Sequence, residues 1–341
     1  MPLKRASELV CFVCVLISLL IRLLMLSQKV LENNYFCGLN NYQMQVSNYT
    51  GELAALLVVV FWTITALSFE VATRRIGSLA VNITRLLFAL VFLSLFSWFY
   101  RGLPFPTDAG AHAWLWLTLS GLVGFVFGDY FLFFSYKLIG SRIAMLIMTF
   151  VPPVTAFLGW IVLGESMTLQ HLFGMLLTVS GIGLTIFAKP NGQKIQLKYP
   201  LKGILFAFFG VLGQAGGLVL SKYGMQDYSP FASTQIRIIA GALGFGLIIV
   251  FTGKTMVVLN ALKNKTALKG ITIGSFFGPF LGVSFSLVAI QHTTTGIAST
   301  IMALVPILII PPAAILFKQK IRPLDYLGAL VSFTGVVLFF V

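Results

Sequence analysis

The chain has 341 residues, of which 58% are hydrophobic and 9% charged, and a formal net charge of +14. Soluble globular domains carry about a quarter of charged residues, so that class is excluded. The basic excess sits in short loops between apolar runs, where membrane topology accounts for it without nucleic acid. The apolar runs are roughly 20 residues long, the length an α-helix needs to cross a bilayer, and they lack the period-2 alternation of a β-barrel. An all-α, multi-pass membrane protein is the expectation.

Residues 1–50 form a leader. Leu9 to Ser27 is apolar except for Arg22, with Lys4 and Arg5 ahead of it. Three readings are open: an extra transmembrane helix, a signal peptide (although no small-x-small cleavage site follows), or a translation start at Met44. Cys11, Cys14 and Cys37 all lie in this leader. The C-x-x-C spacing of the first two falls in an apolar run without partner ligands, so it reads as apolar filling rather than metal or redox chemistry.

Downstream, five helices are predicted over 52–72, 79–100, 112–136, 143–163 and 168–188, within a first unit of 51–188. A polar connector, 189–202, leads to a second unit, 203–341. Its predicted helices cover 203–221, 230–252, 268–290, 296–317 and 324–341. The second unit copies the first. Ile143-Ala144-x-x-Ile147-Met148-x-x-Val151-Pro152 returns as Ile297-Ala298-x-x-Ile301-Met302-x-x-Val305-Pro306, displaced by 154 residues. The same displacement pairs Gly124 with Gly278, Gly128 with Gly282, Gly174 with Gly328 and Gly181 with Gly335. With five helices per unit, the second copy enters the membrane from the opposite face. The fold class is therefore ten transmembrane helices in two inverted five-helix repeats, plus an extra N-terminal helix if the leader spans. Loop charges orient it. The face reached after the first core helix carries Arg74, Arg75, Lys137, Arg142, Lys254, Lys318 and nine further basic residues, against Arg101 and Lys222 opposite, with Lys29 added there if the leader spans. That face is expected to be cytoplasmic and residue 341 to lie outside.

Charges within apolar helices are expensive and should face protein or water. Arg85, Asp129 and Arg237 are such charges, and Glu70 lies near a helix end. Arg85 and Asp129 differ in depth by only about 2 Å at 1.5 Å per residue, so an Arg85–Asp129 or Arg85–Glu70 pair is possible. Arg237 follows Arg85 by 152 residues, but in its half Val283 replaces Asp129. Short of a carboxylate, Arg237 is the better candidate for an anionic substrate group. The alternative is a structural arginine bonded to carbonyls. Asp129 could couple protons, unless Arg85 pairs with it and makes it structural. Trp62, Gln214 and Tyr130 are further cavity candidates. Pro152 and Pro306, at matching places, are helix-kink candidates. The glycine rows on the third and eighth helices read as close-packing surfaces. His112, His171 and His292 have no ligand spacing, and no cofactor or metal is expected.

Ser141-Arg142-Ile143-Ala144, Val151-Pro152-Pro153, Leu163-Gly164-Glu165 and Gly174 through Gly181 together resemble the signature of EamA-type members of the drug/metabolite transporter superfamily. The second half is similar, with Lys318-Gln319 where the glycine–glutamate pair would stand. The resemblance implies two inverted five-helix repeats around a central cavity, moving small molecules by alternating access, commonly outward. It carries over no substrate residue. Members of this type commonly keep both core ends inside, whereas the loop lysines here put them outside. No P-loop pattern is present, which points to a proton gradient or exchange as the energy source. The expected function is a secondary transporter in the cytoplasmic membrane for a small metabolite, amino-acid-like, anionic or zwitterionic. Its partners would be the bilayer, the substrate and protons. The competing readings are a non-transporting sensor or scaffold and an intramembrane lipid enzyme. The former would normally bring a soluble output domain, and the latter needs paired catalytic groups at membrane depth.

Overall fold

Why the chain forms helices follows from its medium: in lipid each backbone N–H and C=O must be bonded within the protein, and an apolar helix does this by itself. The computed structural model describes residues 49–187, 200–308 and 323–339, and every regular element among them is helical. The leader to residue 48, residues 188–199 of the connector, and Pro311-Pro312 lie outside the described residues, as do the side chains of Glu70, Tyr136 and Pro306.

The first repeat begins with α1 (Thr50–Ile76) and α2 (Ser78–Arg101). Only Gly77 separates them, at φ +83°, a left-handed region open to glycine without steric cost. The α3 helix (Ala111–Gly121) widens into a π-helical segment, Leu122–Gly128, and continues as α4 (Asp129–Met148). Then follow α5 (Val151–Leu163) and α6 (Leu169–Phe187). The second repeat runs α7 (Leu201–Met225), α8 (Pro230–Phe251) and a short α9 (Thr255–Ala261). After α10 (Lys265–Ser275), a second π segment (Phe276–Gly282) leads into α11 (Val283–His292). The chain continues as α12 (Thr295–Met302), α13 (Val305–Leu308) and α14 (Pro323–Val337). The two π segments occupy equivalent positions in the duplicated sequence. Such insertions recur at functional sites because they rotate the residues that follow.

The expected loop at 137–142 does not form. Helix α4 runs through it, and the chain breaks instead at Thr149-Phe150. Pro152 and Pro153 supply no N–H to the carbonyls of Met148 and Thr149, so a continuous helix would lose two bonds there. Pro152 accordingly sits at the start of α5 rather than kinking a helix interior. The second repeat breaks at the equivalent Ala303-Leu304, ahead of Pro306. It also breaks at Thr293-Thr294, where Thr294 caps α12 by accepting the N–H of Ile297 at 3.4 Å.

The repeats are inverted, and residue contacts prove it. Helices α6 and α14 meet at glycines. A Cβ on Gly174 would strike the Gly335 carbonyl, and one on Gly181 would strike that of Gly328. Ascending along one helix means descending along the other, so equivalent helices are antiparallel. Between these glycines Thr178 meets its own repeat counterpart: Ser332 Oγ donates to Thr178 O at 3.1 Å, and Thr178 Oγ1 reaches Ser332 O at 3.4 Å. A residue touching its own copy lies on a two-fold axis, and antiparallel copies put that axis across the helices.

The same exchange recurs in the core. Helix α7 packs on α3 and its π segment, while α1 packs on α10 and its π segment. Gly213 and Gly217 abut Gly128 and Gly124. Thr65 against Gly278 is the equivalent of Gly217 against Gly124, and Phe69 abuts Gly274 further along. Among the described residues, six stretches are long and apolar enough to span a bilayer: Thr50–Phe69, Leu79–Arg101, Ala111–Leu132, Leu201–Met225, Pro230–Phe251 and Lys265–His292. Val151–Leu163, Leu169–Leu184 and Tyr326–Val337 are shorter apolar helices. Large apolar side chains such as Phe99, Leu247 and Phe251 are exposed on the outer surface of the bundle, as a lipid-facing surface requires.

Candidate functional site

A cavity of about 280 Å³ lies where the two repeats meet. Its walls come in equivalent pairs: Met148 with Met302, Thr149 with Ala303, and Val151 with Val305. These are the residues at the two helix breaks, so the proline-dictated interruptions shape the chamber. Trp62 and Gln214 face it from the matching helices α1 and α7. Ser286, Ser299 and Phe125 complete the chemistry that sequence reasoning missed. Each is one small or aromatic residue in an apolar run, with nothing in the sequence to mark its direction.

Arg237 lines this cavity from α8 and is 5% exposed. Its guanidinium carbon stands 5.0 Å from the centre of the Phe125 ring, a cation–π placement. Its Nε has no hydrogen-bond partner. None of the ion pairs among the described residues includes it. Space for the group comes from Gly124, where an added Cβ would lie 3.4 Å from Nη2.

Its repeat counterpart behaves oppositely. Arg85 Nη2 pairs with Asp129 Oδ2, and the Arg85 guanidinium carbon lies 5.8 Å from the Phe69 ring centre. Gln214 Nε2 donates to the other oxygen of Asp129 at 2.9 Å and reaches the Gly124 carbonyl at 3.4 Å. The structure forms the Arg85–Asp129 pairing. Asp129 thereby ties α2, α4 and α7 together and orients the amide of Gln214 beside the cavity. Tyr130 does not belong there. It is 43% exposed and packs against Phe131 and Phe134, because the residue after Asp129 is turned about 100° around the helix from it.

One end of the bundle carries an ionic cluster. Lys222 Nζ pairs with Glu165 Oε1 at 2.7 Å and donates to Thr293 O at 2.7 Å. Glu165 Oε2 accepts from Thr295 N at 2.8 Å and Thr295 Oγ1 at 2.7 Å. It sits at the positive N-terminus of α12, where a carboxylate is favoured. Thr293 Oγ1 donates to Glu52 Oε1 at 2.6 Å. Glu165 thus ties the end of α5 to α7 and α12.

At the same end Tyr228 Oη donates to Asp108 Oδ1 at 2.8 Å, and Arg101 pairs with Asp108 Oδ2. Slight burial works against ionising Asp108, but the bonds from Tyr228 and Arg101 outweigh it and hold the carboxyl below its usual value. Burial, and then the bond to Asp108, push the Tyr228 phenol up.

Two inverted apolar repeats enclosing a chamber on their shared axis define a multi-pass membrane protein of the inverted-repeat transporter class. The EamA-like transporter family model matches residues 49–187 and again 201–341, so the chain belongs to that family. Relatives in Bacillus subtilis (strain 168) include uncharacterized transporter YoaV, 29% identical over 40% of this chain and 47% of its own length. Uncharacterized transporter YyaM is 26% identical over 64% of this chain and 70% of its own. Alignment with YoaV thus spans about half of that relative's length. A solved crystal structure superposes with a TM-score of 0.67 and 15% identity over 85% of this chain and 95% of its own, a likeness of fold alone.

Proposed function

We propose that this protein is a secondary transporter of the cytoplasmic membrane. It moves a small metabolite or organic compound, amino-acid-like, anionic or zwitterionic, outward by alternating access. The single observation that carries this reading is the chamber on the axis between the repeats, walled by equivalent residues from both. If the repeats exchange conformations, a site on their common axis is offered in turn to each side. The family membership and the transporter names of the relatives agree with it.

The pairing of Asp129 with Arg85 and Gln214 favours a structural role for that carboxylate over proton coupling, and so favours exchange as the driving process. The test is transport by purified protein in proteoliposomes against a panel of metabolites, with and without a pH gradient. Saturable uptake that Arg237→Ala reduces at least tenfold, with normal expression and elution, is the expected result. Absence of any protein-dependent flux across the panel would sink the proposal.

A further inference from the structure

Among the described residues, the chamber holds one charge and no counter-charge. Arg237 is buried, its Nε is unbonded, and it faces the cavity. Among the described residues no carboxylate lines the chamber. Asp129, the acid linked to it through Gln214, has both oxygens engaged by Arg85 and Gln214. A buried guanidinium left without an acceptor is costly. Its planar fork of donors matches a carboxylate or sulfonate in two parallel bonds.

The rest of the lining is apolar or aromatic, relieved by the hydroxyls of Thr149, Ser286 and Ser299 and the Gln214 amide. An ammonium group would find no acid there. The free volume, about 280 Å³, is roughly twice that of a cavity that holds benzene, about 150 Å³. That suits one ring or an equivalent alkyl body together with its acid group.

Resting on the carrier reading above and narrowing its substrate class, the geometry points to a monoanionic organic acid as the substrate. Its acid group docks on Arg237 and its apolar body lies against Phe125 and Trp62. Zwitterions and cations are rejected because the described lining offers no acid to a positive charge and already carries one in Arg237.

Matched probes of one shape and different charge test this: benzoate and benzenesulfonate as anions, benzamide as the neutral isostere, benzylamine as the cation and phenylglycine as the zwitterion. Binding is measured on purified protein by thermal shift and calorimetry, so no transport is required. The wild type should bind both anions at least tenfold more tightly than benzamide and show no saturable binding of benzylamine or phenylglycine. Arg237→Gln should reduce the anion-to-amide ratio to about one. Arg237→Lys, which keeps the charge, should retain a preference for the anions.

Equal binding of benzamide or benzylamine by the wild type overturns the inference. So does an anion preference that survives in Arg237→Gln, or no anion binding at millimolar concentration. The charge series on the wild type stands even where a variant fails to fold. Anion binding without flux in proteoliposomes would sink the carrier reading and leave this inference. Flux of neutral or cationic compounds without anion preference would do the reverse.

Discussion

At the scale of single residues, the two repeat-equivalent arginines should respond to mutation with opposite signs. Arg85 and Asp129 form a mostly buried pair, with side chains 16% and 11% exposed. Removing one partner strands the other charge, at a cost of about 3–5 kcal/mol. Arg85→Ala and Asp129→Asn should each lower the melting temperature in detergent and the yield of monodisperse protein. The double variant Arg85→Gln/Asp129→Asn should recover part of the loss. Arg237 has no such partner to strand. Replacing it with Met removes a buried charge, so Arg237→Met should leave stability unchanged or raise it by on the order of 1 kcal/mol while abolishing anion binding. A melting-temperature comparison of Arg85→Ala with Arg237→Met decides this. A large loss of stability in Arg237→Met would show that the fold depends on that guanidinium, contrary to its unpartnered state.

At the scale of elements, glycine positions set how closely α7 lies on α3 and its π segment. A Cβ on Gly217 would come within 2.7 Å of the Gly124 Cα, and one on Gly213 within 2.8 Å of the Gly128 N, so backbone itself would have to move. Gly216, one residue away, would meet only Val123 Cγ1 at 3.5 Å. Gly217→Ala should therefore cost about 1–3 kcal/mol by overpacking, whereas Gly216→Ala should be neutral or slightly stabilising, since alanine is the better helix former. Thermal unfolding of the two variants in one detergent checks the contrast.

The glycine rows on the third and eighth predicted helices, the 154-residue displacement and the intramembrane charges were legible in the sequence because each depends on residue type at a spacing. The Arg85–Asp129 pair was legible as one of two options from depth alone. The π segments and the helix running through 137–142 were not, because they depend on how the neighbouring helices pack; at Thr149-Phe150 the prolines marked the place, and the structure turns the expected kink into a break. The Glu52–Thr293–Lys222–Glu165 cluster was hidden for another reason: its members come from two helices and two helix junctions far apart in sequence. It joins the repeats at one end. Its counterparts by repeat position are Ile204 for Glu52, Glu70 for Lys222 and Gln319 for Glu165, so the duplicated positions cannot form the same ion pair. Lys222→Met should strand Glu165 and loosen that end. Glu165→Gln/Lys222→Met should be less unstable than the sum of the single variants, which a double-mutant cycle on melting temperatures measures.

At the scale of the whole molecule, the charge inventory bears on energetics. The Arg85–Asp129 pair is neutral, so among the described residues the core around the chamber carries one positive charge when empty and none once a monoanion is seated on Arg237. A loaded carrier then reorients without moving net charge, whereas an empty one returns with its cation uncovered. Moving one elementary charge through the membrane field is worth about 2.3 kcal/mol per 100 mV. One-for-one exchange should accordingly be insensitive to membrane potential. Net flux, which includes the empty return, should change with potential by up to roughly fiftyfold per 100 mV if the whole charge crosses the field.

Radiolabelled benzenesulfonate, a permanent anion that leaks slowly through lipid, allows both modes to be followed in proteoliposomes with a potassium–valinomycin potential. Exchange is read as counterflow against unlabelled benzenesulfonate inside, and net flux as efflux into probe-free buffer. Counterflow that is faster than net efflux and flat against potential, beside a net efflux that is not flat, is the expected pair of results. Equal dependence of the two modes on potential would mean that another charge compensates Arg237 in the empty state. The asymmetry between Arg85 and Arg237 would then be a matter of packing rather than of transport.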